Sequence, residues 1–560
     1  MAQSGDYDAI VLGSGAAGLT AALVAALEGL SVCLIEREPL LGGTTAWSGG
    51  MVWAPGSAVA REGGFDDDPA AVRAYLATLV PGAEGDSRMD AFLAAAPEAV
   101  DYLAARSAVR LRPVPRYPDY YPDSPGSTLA GRVLEPEPFD AAVLGDDLRL
   151  LRLPLPEFSL FGGMMVARPD IPHFRKVFRA PRSTAVVAAY LLRYLGQKLR
   201  YGRGTRLVLG NALVARLLYA LRQTGAELRV GQEVESLLRD GTGRVSGLVL
   251  RDGTRLTARR GLVLATGGFG QDPERRSATL TPALRETSAS APGARGEGLR
   301  LAEAVGGAFQ GGAAGNAFLA PVSRYRRADG GLALYPHTVT DRAKPGLIAV
   351  DDGGRRFANE AVSYHAFATA LLAQQNQAAA DGGAWLICDA AFLRAYGLGA
   401  VKPMARSLRP FLAQGYLRRG DTLEALGEAL ELPAGALRQT VETYNEAARR
   451  GEDPAFGRGG DVYQRFLGDA AVAPNPCVAP IERPPYYALR VLPGDLGTAA
   501  GLASDGRARV LDREGQVIPG LYCCGADMLS VMQGAYPGPG ITLGPALAFG
   551  YLAARDLAAS

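Results

Sequence analysis

The feature that most constrains the fold is a glycine-rich turn, GSGAAG, which lies between two short apolar runs near the start of the chain. The first run covers residues 8–12, an alanine-rich helical stretch follows the turn, and SVCLIE at 31–36 forms the second run. This order predicts a strand, a glycine turn, a helix and a second strand, the unit that binds a dinucleotide. The chain is therefore predicted to be an α/β protein with a Rossmann-like domain.

Each glycine of the turn has a predicted task. Gly13 permits the tight turn, Gly15 lets the backbone approach a pyrophosphate, and Gly18 lets the helix pack closely. The amides of Ala16 and Ala17 open the helix, where free N–H groups and the helix dipole favour a negative ligand.

The second strand ends at Glu36, which is placed to accept hydrogen bonds from a ribose diol. Arg37, next in the chain, and the more distant Val234 are also predicted to bind the cofactor. Together these residues predict a dinucleotide site rather than a glycine turn in an ordinary α/β unit.

The small-residue loop GGTTAWSGG at 42–50 favours FAD, because such a loop can lie against an extended cofactor. Its predicted cofactor-binding residues are Gly43, Thr44, Thr45, Ser48, Gly49 and Gly50. Loop-packing roles for the hydroxyl residues are equally open. Succinate dehydrogenase and fumarate reductase flavoproteins have a similar loop, in which a histidine can carry the flavin covalently. Here that stretch contains no histidine, so non-covalent FAD is expected.

Two later segments are predicted to complete the same domain. RGLVLATGGFGQD is an apolar strand that ends in small residues, and VIPGLYCCGAD is another such strand. The helix that follows GAYPGPGITLG would point its N-terminus at the turn and stabilise negative charge on a reduced cofactor. The predicted cofactor-binding residues in these segments are Thr266, Gly267, Gly268, Gly525, Asp527, Gly540, Thr542 and Leu543.

At 560 residues the chain is too long for one core of ordinary size. We expect a discontinuous FAD-binding domain in three parts, at residues 1–150, 208–311 and 486–560. An α+β catalytic domain is expected at 312–485, and a basic amphipathic insertion at 151–207.

Composition excludes several classes of protein. The five cysteines are an odd number with no CxxC spacing, which favours neither a disulfide framework nor a zinc site, and no metal is expected. A net charge of +2 argues against a general polyanion-binding surface, and no nucleic-acid partner is expected. The sequence offers no secretory signal and no apolar run long enough to span a bilayer, so a cytoplasmic location is expected.

Four motifs make the sequence resemble the 3-ketosteroid Δ1-dehydrogenases, a branch of the fumarate reductase and succinate dehydrogenase flavoprotein superfamily. They are YPDYYPDSPG near 117, FANEAVSY at 357–364, DLGTAAGL near 495 and YPGPGITLG at 536–544. The resemblance implies that the hydroxyl of Tyr536 and the amide of Gly540 hold the C3 ketone of the substrate. It also implies that Tyr364 takes the proton from C2, assisted by Tyr120; the adjacent Tyr121 is the alternative for that last role.

The activity that this resemblance implies is 1,2-dehydrogenation of 3-ketosteroids in steroid degradation. A hydride would pass from C1 to flavin N5, and a quinone or an artificial dye would accept the electrons. Alternatives are a Δ4-dehydrogenase of 3-oxo-5α-steroids, an enzyme for another cyclic ketone, a lyase or hydratase with structural FAD, and a non-catalytic lipid-binding flavoprotein.

The chemistry of a ketone supports those roles independently. A ketone acidifies its α-hydrogens only when charge on its oxygen is stabilised, and two fixed donors form such an oxyanion site. Tyrosine, with a reference pKa of about 10, is a poor base near neutrality and needs a lower pKa or a relay. A rate that rises with pH is therefore expected.

The histidines argue against a dicarboxylate substrate. Only His173, His337 and His365 exist, whereas fumarate-type sites use histidine and arginine to clamp two carboxylates. Arg342 and the arginines near 325 are expected to be solvated surface residues, and His365 a packed neighbour of Tyr364.

A strongly basic segment lies between Arg168 and Arg206. It holds ten basic residues and one acid; the basic ones are Arg168, Arg175, Lys176, Arg179, Arg182, Arg193, Lys198, Arg200, Arg203 and Arg206. Within it a predicted helix places Val187, Leu191, Tyr194 and Leu195 on one face. Such a helix is typical of a membrane interface, here at the inner face of the cell membrane, and the alternatives are a solvated cap and an RNA-binding segment.

Overall fold

The computed structural model describes residues 5–175, 177, 180–375 and 383–560. Lys176 and Arg179 of the basic segment lie outside the described residues.

In these ranges the strands are β1 Gly5–Leu12, β2 Val32–Glu36, β3 Val52–Trp53, β4 Leu111–Pro113, β5 Val133–Pro136, β6 Phe139–Asp140, β7 Arg206–Leu207, β8 Glu227–Val230, β9 Val234–Arg239, β10 Val245–Leu250, β11 Arg255–Leu264, β12 Phe309–Gln310, β13 Ala317–Arg326, β14 Leu332–Pro336, β15 Leu347–Val350, β16 Ala384–Asp389, β17 Leu417–Gly420, β18 Tyr486–Thr498, β19 Gly501–Leu502, β20 Arg509–Leu511 and β21 Val517–Cys523.

The α-helices of the same ranges are α1 Ala16–Leu27, α2 Ala58–Glu62, α3 Pro69–Leu79, α4 Ser87–Arg106, α5 Ile171–Arg175, α6 Pro181–Tyr201, α7 Leu209–Arg222, α8 Pro273–Thr279, α9 Glu297–Ala304, α10 Tyr364–Gln375, α11 Ala390–Tyr396, α12 Arg409–Ala413, α13 Leu423–Ala429, α14 Ala436–Ala448, α15 Val462–Leu467 and α16 Leu543–Ala559.

The larger sheet is the predicted Rossmann-like core. Its strand order is β20-β21-β11-β1-β2-β8; in addition, β10 pairs with β11, and β9 pairs with β10. β1 pairs in parallel with both β2 and β11, and β11 pairs in parallel with β21. Strands from three separate parts of the chain therefore build one sheet, which confirms the predicted α/β fold with a discontinuous Rossmann-like domain.

Parallel register brings the glycine turns to one edge of this sheet. Leu12 pairs with Leu264 and with Ile35, and Leu264 pairs with Cys523. Because the carboxyl ends of parallel strands meet at the same edge, the turns that follow β1, β11 and β21 converge there.

The second sheet has the order β14-β13-β18-β16-β15, and β17 also pairs with β18. All its pairings are antiparallel. β18 begins directly after the boundary expected at residue 485, in the part expected to belong to the FAD-binding domain, yet it is the central strand of this second sheet. The alternation that makes β18 a buried strand does not say which sheet it joins.

The basic insertion folds as a helical element on the outside of the molecule. Val187 and Tyr194 of α6 are buried, whereas Leu195 is 55% exposed, so the predicted apolar face does not act as one surface. The exposed apolar ridge is instead formed by Leu192, Leu195 and Leu199. Among the described residues, none of the helices is long and apolar enough to cross a membrane.

Candidate active site

The glycine turn after β1 has the geometry that its sequence predicts. Gly13 has a φ of +101°. A Cβ on Gly18 would lie 1.9 Å from the carbonyl oxygen of Gly13, so only glycine lets α1 approach the turn this closely. α1 begins after an extended Gly15 that makes no side-chain cap. The N-terminus of α1 can thus receive an anionic group.

A cavity opens beside this turn at the carboxyl edge of the sheet. Five residues predicted to bind the cofactor line it: Gly13, Glu36, Arg37, Val234 and Thr266. The Glu36 carboxylate accepts hydrogen bonds from the Ser14 amide at 3.0 Å and the Ser14 hydroxyl at 2.5 Å, which hold it at the cavity wall. A buried carboxylate beside a helix N-terminus fits the ribose and pyrophosphate of an adenine dinucleotide.

Hydrogen bonds within the 42–50 loop give its hydroxyl residues packing roles. Thr45 Oγ1 accepts from the Ala16 amide at 3.0 Å, and Thr44 Oγ1 accepts from the Ala291 amide at 2.9 Å. The Ser48 hydroxyl donates to the Thr45 carbonyl at 2.8 Å. The contact of Thr45 with Ala16 holds the loop against the N-terminus of α1. Gly43 and Gly50 have positive φ, and Gly49 lies between Ser48 and Gly50.

Asp527 organises the glycine turns rather than facing the cavity. Its side chain is completely buried and accepts hydrogen bonds from the amides of Thr266 and Gly268 at 2.5 and 2.8 Å. It therefore ties the end of β11 to the turn after β21. Gly267, Gly268 and Gly525 all have positive φ, as bare turn backbone requires.

Three tyrosines from distant parts of the chain form one cluster. The ring centroids of Tyr120 and Tyr364 are 5.6 Å apart, those of Tyr120 and Tyr536 are 5.7 Å apart, and those of Tyr364 and Tyr536 are 5.1 Å apart. Each side chain is 5% exposed. The ring of Tyr364 meets the other two rings edge to face. All three tyrosines that the resemblance singles out thus meet at one point, whereas the Tyr121 amide donates to the Tyr75 hydroxyl at 3.3 Å.

The turn before α16 completes the cluster. Gly540 has a φ of +90°, and a Cβ there would lie 2.8 Å from the backbone of Met51 and Trp53. Among the described residues no acceptor is found for its amide. Thr542, predicted to bind the cofactor, forms a side-chain hydrogen bond with Tyr536, and Leu543 begins α16. The cluster thus offers a phenol and a main-chain N–H a few residues apart.

Burial dominates the electrostatics of the phenols. It raises the pKa of Tyr536 to about 12 and raises the pKa values of Tyr120 and Tyr364 well above the ordinary value. The hydrogen bond from Tyr120 acts in the opposite direction and lowers the pKa of Tyr364. Tyr120 is therefore the neighbour that favours ionisation of Tyr364.

The loop that presents Tyr364 is fixed by a buried charge network. The Glu360 carboxylate accepts from Arg356 at 2.9 and 2.8 Å, from Arg458 at 3.0 Å and from the Ala349 amide at 2.9 Å. Arg342 was expected to be a surface residue, but it is 2% exposed and donates to the Glu360 carbonyl at 2.9 Å. It is buried because carbonyls of this loop take up its N–H groups.

Three further residues line the cluster; His365 was expected beside Tyr364, whereas no motif predicted Phe318 or Tyr463. Phe318 packs edge-on against Tyr536 at 5.5 Å, and Tyr463 tilts against Tyr120 at 4.9 Å. His365 lies 5.6 Å from Tyr536, and its Nδ1 accepts from the Leu319 amide at 3.2 Å. His365 therefore packs beside Tyr536 as well as following Tyr364. Only the apolar and aromatic composition of β13 and α15 could have indicated Phe318 and Tyr463.

Comparison with known proteins places this site in a family. The family described as FAD binding domain matches residues 8–543. The chain is 39% identical over 555 residues to 4-oxocyclohex-2-ene-1-carboxylate 5-dehydrogenase of Sinomonas cyclohexanicum, covering 98% of this chain and 93% of that one. It is 36% identical over 573 residues to 3-oxosteroid 1-dehydrogenase of Mycolicibacterium smegmatis, covering 99% and 98%.

A solved structure agrees over the whole fold. The 3-ketosteroid Δ1-dehydrogenase from Sterolibacterium denitrificans, in complex with 1,4-androstadiene-3,17-dione, superposes with a TM-score of 0.91 and 37% identity, covering 99% of each chain. With the glycine turns and the tyrosine cluster in place, the chain belongs to the 3-ketosteroid Δ1-dehydrogenase family and is an FAD-dependent oxidoreductase.

Proposed function

We propose that the protein introduces a double bond between C1 and C2 of 3-ketosteroids, in steroid degradation. The observation that carries the proposal is the meeting of Tyr120, Tyr364 and Tyr536 beside the turn at Gly540. The 3-oxosteroid 1-dehydrogenases among its relatives support the same substrate class.

In this proposal one pair of residues binds the C3 oxygen of the substrate and another pair removes the proton from C2. The Tyr536 hydroxyl and the Gly540 amide donate to the C3 oxygen and stabilise the charge that develops there. Tyr364 accepts the proton from C2, and Tyr120 stabilises the Tyr364 phenolate through its hydrogen bond. Buried aromatic rings exclude water from the reacting carbons. FAD, when bound, supplies the hydride acceptor.

We propose the cofactor-binding residues from the glycine turns at the edge of the sheet and from the FAD-binding family match. Gly13, Gly15, Ala16, Ala17 and Gly18 would hold the pyrophosphate of FAD. The remaining assignments, proposed for the adenosine and flavin ends, are Glu36, Arg37, Gly43, Thr44, Thr45, Ser48, Gly49, Gly50, Val234, Thr266, Gly267, Gly268, Gly525, Gly540, Thr542 and Leu543. Asp527 would act by holding the turns at Thr266 and Gly268 in place for the cofactor.

Anaerobic titration with a 3-ketosteroid tests the function. Bleaching of the flavin absorbance is expected, with a new double bond at C1 in the isolated product. A double bond at C4 would instead indicate a Δ4-dehydrogenase. Turnover without bleaching would indicate a lyase or hydratase with structural FAD, and binding without either would indicate a lipid-binding flavoprotein. Reoxidation of the reduced enzyme by a quinone tests the proposed electron acceptor.

A monocyclic keto acid is the second candidate, because the relative with 39% identity is named for such a substrate. Its carboxylate would require a free cation near the phenols. Arg168 lies over the ring of Tyr117 at 5.7 Å and donates to Glu135 at 2.6 Å, but Glu135 also accepts from Arg112 at 2.9 Å. One carboxylate thus faces two guanidinium groups, which leaves a positive charge that a substrate carboxylate could pair with. Titration with 4-oxocyclohexanecarboxylate under the same conditions decides between the two substrates.

We also propose that α6 rests on the cytoplasmic face of an anionic membrane. Leu192, Leu195 and Leu199 are 71%, 55% and 90% exposed along one ridge of the helix. Lys198 and Arg200 flank the ridge and are exposed as well. An apolar ridge flanked by cations binds the headgroup boundary of anionic lipids. The packing of Val187 and Tyr194 onto the protein is compatible with this contact, since it uses another face.

Co-sedimentation with phosphatidylglycerol vesicles tests this contact. Replacing Leu192, Leu195 and Leu199 together by serine should abolish binding, because the apolar contribution is lost. The matched control replaces Leu129 and Leu332 by serine, which are 58% and 59% exposed elsewhere on the surface. Equal sedimentation of the two variants would leave α6 as a solvated cap.

A further inference from the structure

A buried ion pair lies directly behind the tyrosine cluster. Asp119 and Arg132 are each 1% exposed, and Arg132 Nη1 donates to Asp119 Oδ2 at 2.7 Å. The other side of the guanidinium donates to Asp67 at 2.8 and 3.0 Å. Arg132 is thus held between two carboxylates, and the more deeply buried one belongs to the residue that precedes Tyr120.

The same pair contacts the turn that carries Tyr536 and Gly540. The indole N–H of Trp53 donates to Asp119 Oδ1 at 3.5 Å, and the Trp53 amide donates to the Gly540 carbonyl at 3.2 Å. Gly538 leaves no room between them, since a Cβ there would lie 3.2 Å from Asp119 Oδ1. The Asp119 carboxylate therefore packs against the ketone-binding turn as well as against the loop of Tyr120.

Two further hydrogen bonds reach the turn, one from the loop of Tyr120 and one from α3. The Tyr120 amide donates to the Pro537 carbonyl at 3.0 Å, and the Tyr75 hydroxyl donates to the same carbonyl at 2.6 Å. Arg132 also lies over the ring of Tyr75 at 5.4 Å. The Asp119–Arg132 pair is consequently in contact with Trp53 and Tyr75, which both form hydrogen bonds with the turn.

We propose that Asp119, held by Arg132, is a positioning residue for the reaction. It sets the separation between the groups that bind the ketone, Tyr536 and Gly540, and the phenols that remove the proton, Tyr120 and Tyr364. The inference rests on the proposed function of those four residues. Loss of the Asp119–Arg132 pair should lower kcat more than it weakens substrate binding. Stabilisation of the transition state depends on alignment to within less than an ångström, whereas binding of the substrate by apolar burial does not.

The pairing of Asp119 with Arg132 also predicts that kcat depends on pH. Burial raises the pKa of Asp119 to about 6, although the Arg132 charge opposes the shift. The charged and titratable groups that face it are Arg132 and Asp67 from neighbouring segments, and Tyr75 from α3. Protonation below about pH 6 removes the carboxylate charge that holds Arg132 in place. We therefore expect kcat to fall as the pH drops through this range.

The test compares the pair of Asp119 and Arg132 with a second arginine–carboxylate pair, which joins the neighbouring strands β4 and β5. Asp119→Asn should lower kcat by about 10- to 100-fold with KM changed less than about threefold, and should remove the decline below pH 6. The control is Arg112→Met, which breaks the pair of Arg112 with Glu135 at 2.9 Å on the adjacent strand. It should leave kcat and its pH profile unchanged. FAD content is equalised from the flavin absorbance.

A conservative variant keeps the test decisive if Asp119→Asn does not fold. Arg132→Lys retains the charge but loses the fork that reaches both carboxylates, so a smaller fall in kcat with the acid decline retained is expected. Wild-type kcat and pH profile in either variant would overturn the proposal. Failure of the proposed function is distinguished by the wild-type protein, whose flavin would then not be bleached by any 3-ketosteroid.

Discussion

At Tyr536 the hydroxyl is the group proposed to bind the ketone, whereas the ring makes the contacts of an ordinary aromatic core. Its ring packs against Tyr120, Tyr364, Phe318 and His365, and these contacts would survive loss of the hydroxyl. The chemistry at this scale therefore lies in hydrogen bonds that isosteric substitutions remove without creating a cavity.

Tyr536→Phe should lower kcat by about 100- to 1,000-fold, because one of the two donors to the developing oxyanion is removed. KM should change little, since burial of the substrate rings is retained. Stopped-flow flavin reduction measures the effect. The matched control is Tyr444→Phe on α14, whose hydroxyl donates to the Ala479 carbonyl. Equal rates in the two variants would contradict the role of Tyr536.

Tyr120→Phe should move the alkaline limb of the rate profile to higher pH. The hydrogen bond from Tyr120 lowers the pKa of Tyr364, so its loss raises that pKa further and leaves less phenolate at a given pH. Flavin reduction is followed from about pH 6 to 10. A flat wild-type profile, with chemistry limiting, would argue against a tyrosine base.

At the scale of elements, close packing of α1 against its own turn decides whether the cofactor site exists. The distance of 1.9 Å between a Cβ on Gly18 and the Gly13 carbonyl oxygen involves backbone, which cannot rotate away. Any side chain at Gly18 must therefore displace the helix N-terminus.

Gly18→Ala should weaken FAD binding at least about tenfold, since the helix amides move away from the pyrophosphate. Titration of the apoprotein with FAD, read by quenching of flavin fluorescence, measures the change. Gly196→Ala in α6 is the control: a Cβ there meets nothing within 4 Å, and the helix should gain about 1 kcal/mol. Unchanged FAD affinity in Gly18→Ala would refute the packing argument.

At the scale of the whole molecule, two titratable groups beside the cluster have opposite effects on stability as the pH falls. Burial lowers the pKa of His365 from 6.5 to about 4, so stability is lost as the unfolded state takes up the proton in that range. Burial raises the pKa of Asp119 from 3.8 to about 6, so the folded state takes up its proton first and stability is gained. Each effect amounts to about 3 kcal/mol and they nearly cancel.

The free energy of unfolding should therefore change little between about pH 6.5 and 4 on account of these two groups. His365→Asn removes one of them and should make the protein more stable at pH 4.5 than at pH 7. Urea denaturation at the two pH values measures the difference. A variant that is no more stable at pH 4.5 than at pH 7 would contradict the assignment. Below about pH 4 stability should fall steeply, because the pKa of Asp341 is lowered to about 2 by the neighbouring His337 against the effect of burial.

The sequence by itself determined the local features of this protein. The strand, turn and helix at residues 5–27 follow from apolar periodicity and glycine spacing, because backbone sterics act over a few residues. Spacing within the PDYY, NEAVSY and YPGPG motifs also identified three tyrosines, through their resemblance to a known family.

Only the tertiary structure decided which of these parts meet. β18 joins the second sheet, Tyr463 and Phe318 line the cluster, Arg342 is buried, and α6 turns a different apolar ridge outward than its periodicity indicates. Such outcomes depend on strand pairing and burial between residues hundreds of positions apart. The free energies of strand pairing and burial are sums over contacts throughout the core. They therefore produce no recognisable sequence pattern within any one segment.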